Sequence, residues 1–406
     1  MPLFGPPPAR DLRLDLFRGL ANWAIFFGHI PGTALAWLTS RNYGFSDGAD
    51  LFVFISGYTT ALVFGRMMAQ RGFLIGATRL LKRVWQLYVA YVLLFIFYLT
   101  SVHYLAHRFD IGHLMDQFNV ARLMEFPVET LAEGLMLKFK PLNLDVLPLY
   151  IVLMAAFVPI LWLMLRHRNW ALAGSLLLYL AARAFHWNLP SYPSGGWFFN
   201  PFTWQLLFVL GAWFAAGGAR DVRAIVTART ALVVSVGFVL FALVATLATL
   251  IPAMDVPIVS QLTQAFRPND KTNLAPYRVL HLMALALLAV RFIPIDWPGL
   301  RWPIFRPLIT CGQQSLEVFC VGVFLAFIAH FVLETTSQSF FAQLLVGAAG
   351  LSVMTGVAYY RSWSKQIDKA PITTAKRPPA TQSSQLPPQE VAADQTTSNE
   401  MRGNAS

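Results

Sequence analysis

The sequence predicts an all-α, polytopic membrane protein with about ten transmembrane helices and both termini in the cytoplasm. Three observations predict it. The 406 residues are 56% hydrophobic and only 13% charged, with a mean hydropathy of +0.53, a balance not expected of a soluble globule of this length. Apolar runs recur that are long enough to cross a core ~30 Å thick as helices, and they lack the alternation of barrel strands. Lys and Arg are also unevenly shared between the two sets of connecting segments.

The Pro-rich start, residues 1–10, carries no separate signal-peptide pattern, so the first span (16–38) is expected to act as its own insertion signal. The second span (47–65) opens on Asp47 and Asp50, carboxylates that suit a helix N-terminus. The third (84–101) follows the basic residues Arg79, Lys82 and Arg83. The fourth and fifth (146–165 and 170–187) read as a tight pair across Arg166-His167-Arg168-Asn169, with Arg183 and His186 interrupting the end of the fifth. The remaining spans are 203–217, 230–252, 276–293, 307–331 and 338–360.

With the N-terminus inside, cytoplasmic segments collect 22 of the 31 Lys and Arg and the opposite face 7; Arg183 and Arg278 lie inside spans. The net charge of +11 is thus mostly a topology signal, and no basic segment interleaved with aromatics points to nucleic acid. Residues 1–364 form the transmembrane domain. Beyond them Pro, Gln, Ser, Thr and Lys dominate, so 365–406 read as a disordered cytoplasmic tail. Cys311 and Cys320 lack the spacing of a zinc site or a disulfide framework. In the longest external connection, 102–145, Glu125, Glu129 and Glu133 make a solvated helix face, and His103, His107 and His113 lack metal-ligand spacing. No metal is expected, and whether this loop reaches a site stays open.

The most informative polar feature is a stripe on the first span: Asp15, Arg18, Asn22 and His29. Arg18 and His29 are eleven residues apart, which at ~100° per residue puts them within about 20° of one another and about 16 Å apart along the axis. Ionisable groups inside a bilayer are costly and mark functional sites or interhelical hydrogen bonds. Arg18 is oriented to pair with Asp15. Asp50, one turn into the second span, is placed to pair with His29, as a carboxylate does when it fixes the tautomer of a general base. Asp47 reads first as a cap. In the Gly/Pro-rich external loop near residues 191–201, Trp197 and Asn200 are the candidates for stacking on and bonding to a sugar, against the commoner interfacial aromatic belt.

Residues 10–21 followed by 47–57 resemble the OpgC-type membrane proteins, which succinylate osmoregulated periplasmic glucans. The similarity continues through Leu147-Pro148-Leu149-Tyr150, residues 200–206, Asp270-Lys271-Thr272-Asn273-Leu274-Ala275-Pro276 and residues 311–319. OpgC-type proteins in turn look like a branch of acyltransferase family 3, whose first span carries Arg or Lys, ten residues, then His. Arg18 and His29 match that spacing. Arg79-Leu80-Leu81-Lys82 with Arg83 is a relaxed form of that family's basic pattern, and the family's late-span His is replaced here by the Cys320-Val321-Gly322 segment.

The resemblance implies a membrane-embedded O-acyltransferase of the bacterial inner membrane. It would move an acyl group, succinyl by the resemblance, from cytoplasmic acyl-CoA to a periplasmic glucan, with no permanently bound cofactor. Acetyl or another CoA-borne acyl group stays open. Arg79, Lys82 and Arg83 would hold the CoA phosphates, or simply anchor the inner surface. His29 would be the general base. Ser56, Tyr58, Asn22 or Asn273 would donate to the oxyanion, Arg278 or Arg183 would hold a succinyl carboxylate, and Glu317 would be a second acid or the partner of an Arg. The chief alternative is a multi-span transporter or exporter of a solute or saccharide, although no inverted repeat is evident.

Overall fold

The computed structural model describes residues 10–368, and the tail expected over 365–406 lies almost wholly outside them. Up to Ser364 the described residues make one compact unit. In chain order its main helices are α1 (Leu12–Gly28), α2 (Gly48–Arg71), α3 (Phe73–Arg108), α4 (Val146–Ala184), α5 (Pro201–Asp221), α6 (Arg229–Leu250), α7 (Pro276–Phe292), α8 (Arg306–Gln313), α9 (Ser315–Thr335) and α10 (Phe340–Ile367). No strand occurs among the described residues; the one β-contact is an isolated bridge between Pro190 and Gly196. Seven of these helices, all but α1, α7 and α8, are long and apolar enough to cross a membrane. The protein is an all-α polytopic membrane protein.

Several expected boundaries move for identifiable reasons. α1 ends at Gly28 rather than 38, because Pro31 cannot donate to a continuing helix and Gly32 takes a left-handed backbone (φ 71°). His29 is therefore not in mid-span. It caps the helix, its N–H donating to the carbonyls of Ile25 and Phe26 at 3.0 and 3.2 Å. The span expected over 307–331 is broken at Gln314 (φ −112°, ψ 38°), which separates α8 from α9.

The two short spans expected at 146–165 and 170–187 are joined through a single non-helical residue, His167 (φ −141°, ψ 71°). Beyond it the chain runs antiparallel to α5. Trp213 Nε1 donates to Asn169 at 2.9 Å and Gln205 Nε2 donates to the Ser175 carbonyl at 2.8 Å.

Lipid offers no hydrophobic drive between helices, so close packing and hydrogen bonds must hold them together. α5 is central, with 67% of its apolar window buried, whereas α10 is peripheral at 17%. Where α2 crosses α5 the backbones nearly touch. A Cβ added to Gly57 would fall 1.9 Å from the Phe208 carbonyl oxygen, and one added to Gly211 would fall 2.1 Å from that of Phe54. α1 and α8 repeat the arrangement, with Gly19 against Leu308 and Gly312 against Asp15.

Gly57→Ala should therefore force α2 and α5 apart, costing roughly 1–3 kcal/mol and lowering the thermal unfolding midpoint in detergent. Gly237→Ala, which meets nothing within 4 Å on α6, should leave that midpoint unchanged or slightly raised. Equal behaviour of the two variants would refute the close-crossing account.

Candidate active site

A cavity of about 400 Å³ opens where the end of α1 meets the start of α2 and the start of α4. Its walls include His29, Arg41, Asp47, Asn143, Asp145, Phe198, Asn269, Lys271 and Arg278. The volume is within the range of small-ligand pockets.

One wall is built by the start of α2. Asp47 has an extended backbone and accepts from the Ala49 N–H at 2.9 Å, while Asp50 Oδ2 accepts from the Asp47 N–H at 2.9 Å, closing a reciprocal capping box. The reading of Asp47 as a cap holds. Both carboxylates have a second task. Arg278 of α7 approaches Asp50 through both Nη2 (2.6 Å) and Nε (3.3 Å), and Nη2 lies 3.5 Å from Asp47. Lys271 Nζ donates to Asp47 at 2.6 Å. Asp50 and Arg278 are essentially inaccessible, at 0% and 2%. Burial raises the Asp47 carboxyl, but Lys271 and Arg278 outweigh it and hold that carboxyl well below the usual range.

The expected Asp50–His29 pair does not form. A guanidinium fork satisfies both Asp50 oxygens, and a neutral imidazole cannot displace it. His29 is positioned instead by its backbone, whose carbonyl accepts from Asn143 Nδ2 at 3.1 Å. Its ring lines the cavity, and Nδ1 is buried without a hydrogen-bond partner.

The opposite wall comes from the end of the 102–145 loop, which does reach the site. Asn143, Asp145 and Leu142 line the cavity. Burial pushes the Asp145 carboxyl up to about 6 and, despite the neighbouring Asp145 charge, pushes Lys140 down to about 8.

The other end of α1 carries a separate polar cluster. Arg18 does not pair with Asp15, whose carboxylate is taken by Arg10 at 2.5 and 3.0 Å. Arg18 Nη2 donates instead to Ser315 Oγ at 2.6 Å, and Asn22 Nδ2 lies 3.4 Å from the Ser315 carbonyl oxygen, at the α8–α9 break. Arg18 Nε and Asn22 Oδ1 remain buried without partners. The cavity reaches Ala24 and Ile25 but does not include Asn22.

The profile of the OpgC protein family matches residues 10–366. The chain belongs to the OpgC family. It is thus a membrane transferase that takes part in the modification of osmoregulated periplasmic glucans. No curated protein and no solved structure matches it significantly.

Other candidate residues of this OpgC protein fall in places the sequence did not indicate. Trp197 is buried, its Nε1 donating to the Pro190 carbonyl at 3.2 Å and its ring already covered by Lys140 Nζ at 4.1 Å, so it offers no face to a sugar. The neighbouring Phe198, 49% exposed, lines the cavity instead. Asn200 is a fully buried cap of α5 that also donates to the Trp187 carbonyl at 2.6 Å and to Asn273 Oδ1 at 3.1 Å. Neither Asn200 nor Asn273 lines the cavity, and Ser56 and Tyr58 do not either. Arg183 bonds the Asn273 carbonyl and lies 3.4 Å from Asp270.

Glu317 pairs with Arg361 of α10 at 3.2 Å, fitting the structural alternative. Arg79 and Lys82 are exposed on α3 and Arg83 is half-buried, bonding Gln86 at 3.2 Å. Among the described residues no cluster suited to a metal ion occurs, and His113 and His330 both approach Glu334.

Arg278→Gln should leave the Asp50 carboxylate buried and unmatched, at a cost of roughly 3–5 kcal/mol. The expected result is loss of folded protein on detergent size exclusion, largely restored by adding Asp50→Asn. A double variant no better folded than Arg278→Gln alone would show that the pair is not the source of the loss.

Proposed function

We propose that the protein is an O-acyltransferase of the bacterial inner membrane that moves an acyl group, succinyl in the first instance, from cytoplasmic acyl-CoA to a hydroxyl of a periplasmic glucan. The observation that carries this reading is His29: an imidazole with an unpartnered ring nitrogen in the wall of a ligand-sized cavity that also presents amides, carboxylates, cations and the Phe198 ring. Such a mixture suits a polyhydroxylated ring, whose hydroxyls both donate and accept and whose C–H faces stack on aromatics.

In this mechanism His29 takes the proton from a glucose hydroxyl as its oxygen attacks the thioester carbonyl. The tetrahedral intermediate collapses, the C–S bond breaks, and the imidazolium returns the proton to the departing CoA sulfur. Lys271, held by Asp47, is one of the cavity's cations and is assigned to the developing oxyanion. The CoA phosphates are assigned to Arg79, Lys82 and Arg83, with Arg18 nearer the path of the acyl arm; Arg18 retains an unsatisfied buried Nε. In the proposed reaction, closure of the cavity around both substrates would limit access of water to the thioester.

Deleting the gene should remove anionic acyl substituents from periplasmic glucans, read as a change in their charge and mass. Wild-type protein should restore them and His29→Ala should not, with a loss of at least ~100-fold in rate; normal restoration by a well-expressed His29→Ala protein would remove the imidazole from the chemistry. In reconstituted vesicles, Arg79→Gln combined with Lys82→Gln should raise the half-saturating acyl-CoA concentration while insertion is unaffected. An unchanged donor titration would leave those residues as membrane anchors only.

A further inference from the structure

The charges that line the His29 cavity do not all cancel. Lys271 is matched by Asp47, and Arg278 by Asp50 with Asp47. Arg41 is held on the carbonyl of Gly28, at 3.0 Å. Asp145 is different. Among the described residues its carboxylate forms no ion pair and no hydrogen bond with another residue, accepting only from its own amide. Asp47, Asp50, Asp255, Asp270, Glu133, Glu317 and Glu334 all have basic partners.

Asp145 stands at the N-cap of α4, a position where Asp ordinarily bonds the first free N–H groups. It does not do so. Its backbone is already helical (φ −71°, ψ −28°), whereas the capping Asp47 is extended (φ −130°, ψ −169°). Asp145 lines the cavity instead, and the helix end is left without a side-chain cap. Two residues earlier, Asn143 bonds the His29 carbonyl, so this short segment is tied to the His29 backbone. A partly buried carboxylate without a protein partner is costly unless a ligand satisfies it.

We infer that Asp145 is an acceptor-binding residue: its carboxylate takes hydrogen bonds from hydroxyls of a neutral hexose ring seated beside His29, and its charge turns away rings that carry a carboxylate of their own. The inference rests on the cavity being the acceptor seat of the proposed transferase. Hydroxyl donors are the complement of a carboxylate, which can accept from two of them at once. An acidic sugar would place like charges together in a site of low dielectric. The upward shift of the Asp145 carboxyl to about 6 agrees with a group whose burial outweighs the nearby charges of Lys140 and Lys271.

The test measures binding and transfer separately, on the full-length protein in vesicles. The probes are a neutral glucan oligosaccharide and a hexuronate oligosaccharide of equal length. Wild type should bind the neutral ligand and discriminate against the acidic one. Asp145→Asn should weaken neutral-glucan binding roughly tenfold, the scale of one charge-assisted hydrogen bond, and lose the discrimination; Asp145→Glu should keep it. Because the Asp145 carboxylate makes no ion pair or hydrogen bond with another residue and its burial outweighs the nearby lysine charges, Asp145→Asn should unfold at the same or a higher temperature than wild type, which a merely structural carboxylate would not do. Unchanged affinity and selectivity in Asp145→Asn, or no glucan binding by wild type, would overturn the inference. Glucan binding that persists without transfer from acyl-CoA would instead count against the proposed reaction and leave the binding role supported.

Discussion

The cavity depends on one interaction: the ion pair between Asp50 and Arg278, essentially out of reach of solvent. Two charges taken out of water must satisfy each other or be discharged, and here both guanidinium donors facing the carboxylate are within hydrogen-bond distance. The pair ties the first turn of α2 to α7, residues 228 positions apart in sequence. With Arg278 fixed, Asp47 lies within reach of both Arg278 and Lys271, and Lys271 enters the cavity as a cation already oriented. The capping box then aligns the same two carboxylates with the helix start. The local motif and the long-range pair meet at Asp50 Oδ2, which accepts from both the Asp47 N–H and Arg278, so the cavity wall resists change in either carboxylate.

A second constraint sets how near the helices come. Glycines placed reciprocally on α2 and α5, and again on α1 and α8, let carbonyl oxygens approach where any side chain would collide. Since α1 carries both Arg18 and His29, its contact with α8 also fixes the polar cluster at Ser315. The helix and its cap His29 then hold the two clusters in fixed relation, about 16 Å apart along its axis.

Much of this was legible in the sequence, but unevenly. Helical spans announce themselves through apolar length, so most elements fall where expected, and the Asp47–Asp50 spacing of three foretold a cap. The stripe on α1 drew attention to His29. What failed was partner choice: Asp15 went to Arg10 and Asp50 to Arg278, because sequence spacing reports which residues share a helix face and nothing about what packs on it. Trp197 failed for a related reason. In an irregular loop adjacent aromatics face different ways, and the buried one is Trp197 while Phe198 meets the cavity. Lys271 and Asn143 were missed although Lys271 lies in a segment already recognised as similar to the family. The loop residue Asn143 carried no motif at all; only its approach to the His29 carbonyl gives it meaning.

The arrangement also bears on how the two substrates of the proposed transfer, one on each side of the membrane, could react. The polar cluster around Arg18 and Asn22 and the cavity around His29 are not continuous, yet the cavity reaches Ile25, three residues and about 4.5 Å of rise beyond Asn22 on nearly the same side of α1. Along α1 the septum is thus thinner than one helical turn. A transporter needs such a barrier to open widely enough for its whole cargo, and inverted repeats usually supply that motion. An acyltransferase needs only the slender acyl arm to pass while the bulky nucleotide and the bulky glucan stay on their own sides. The unsatisfied Arg18 Nε and Asn22 Oδ1 on one side of the septum, and His29 Nδ1 on the other, are the buried polar atoms such an arm would meet in turn. A closed septum flanked by unsatisfied groups is therefore consistent with the proposed transfer and gives no support to bulk passage of a saccharide.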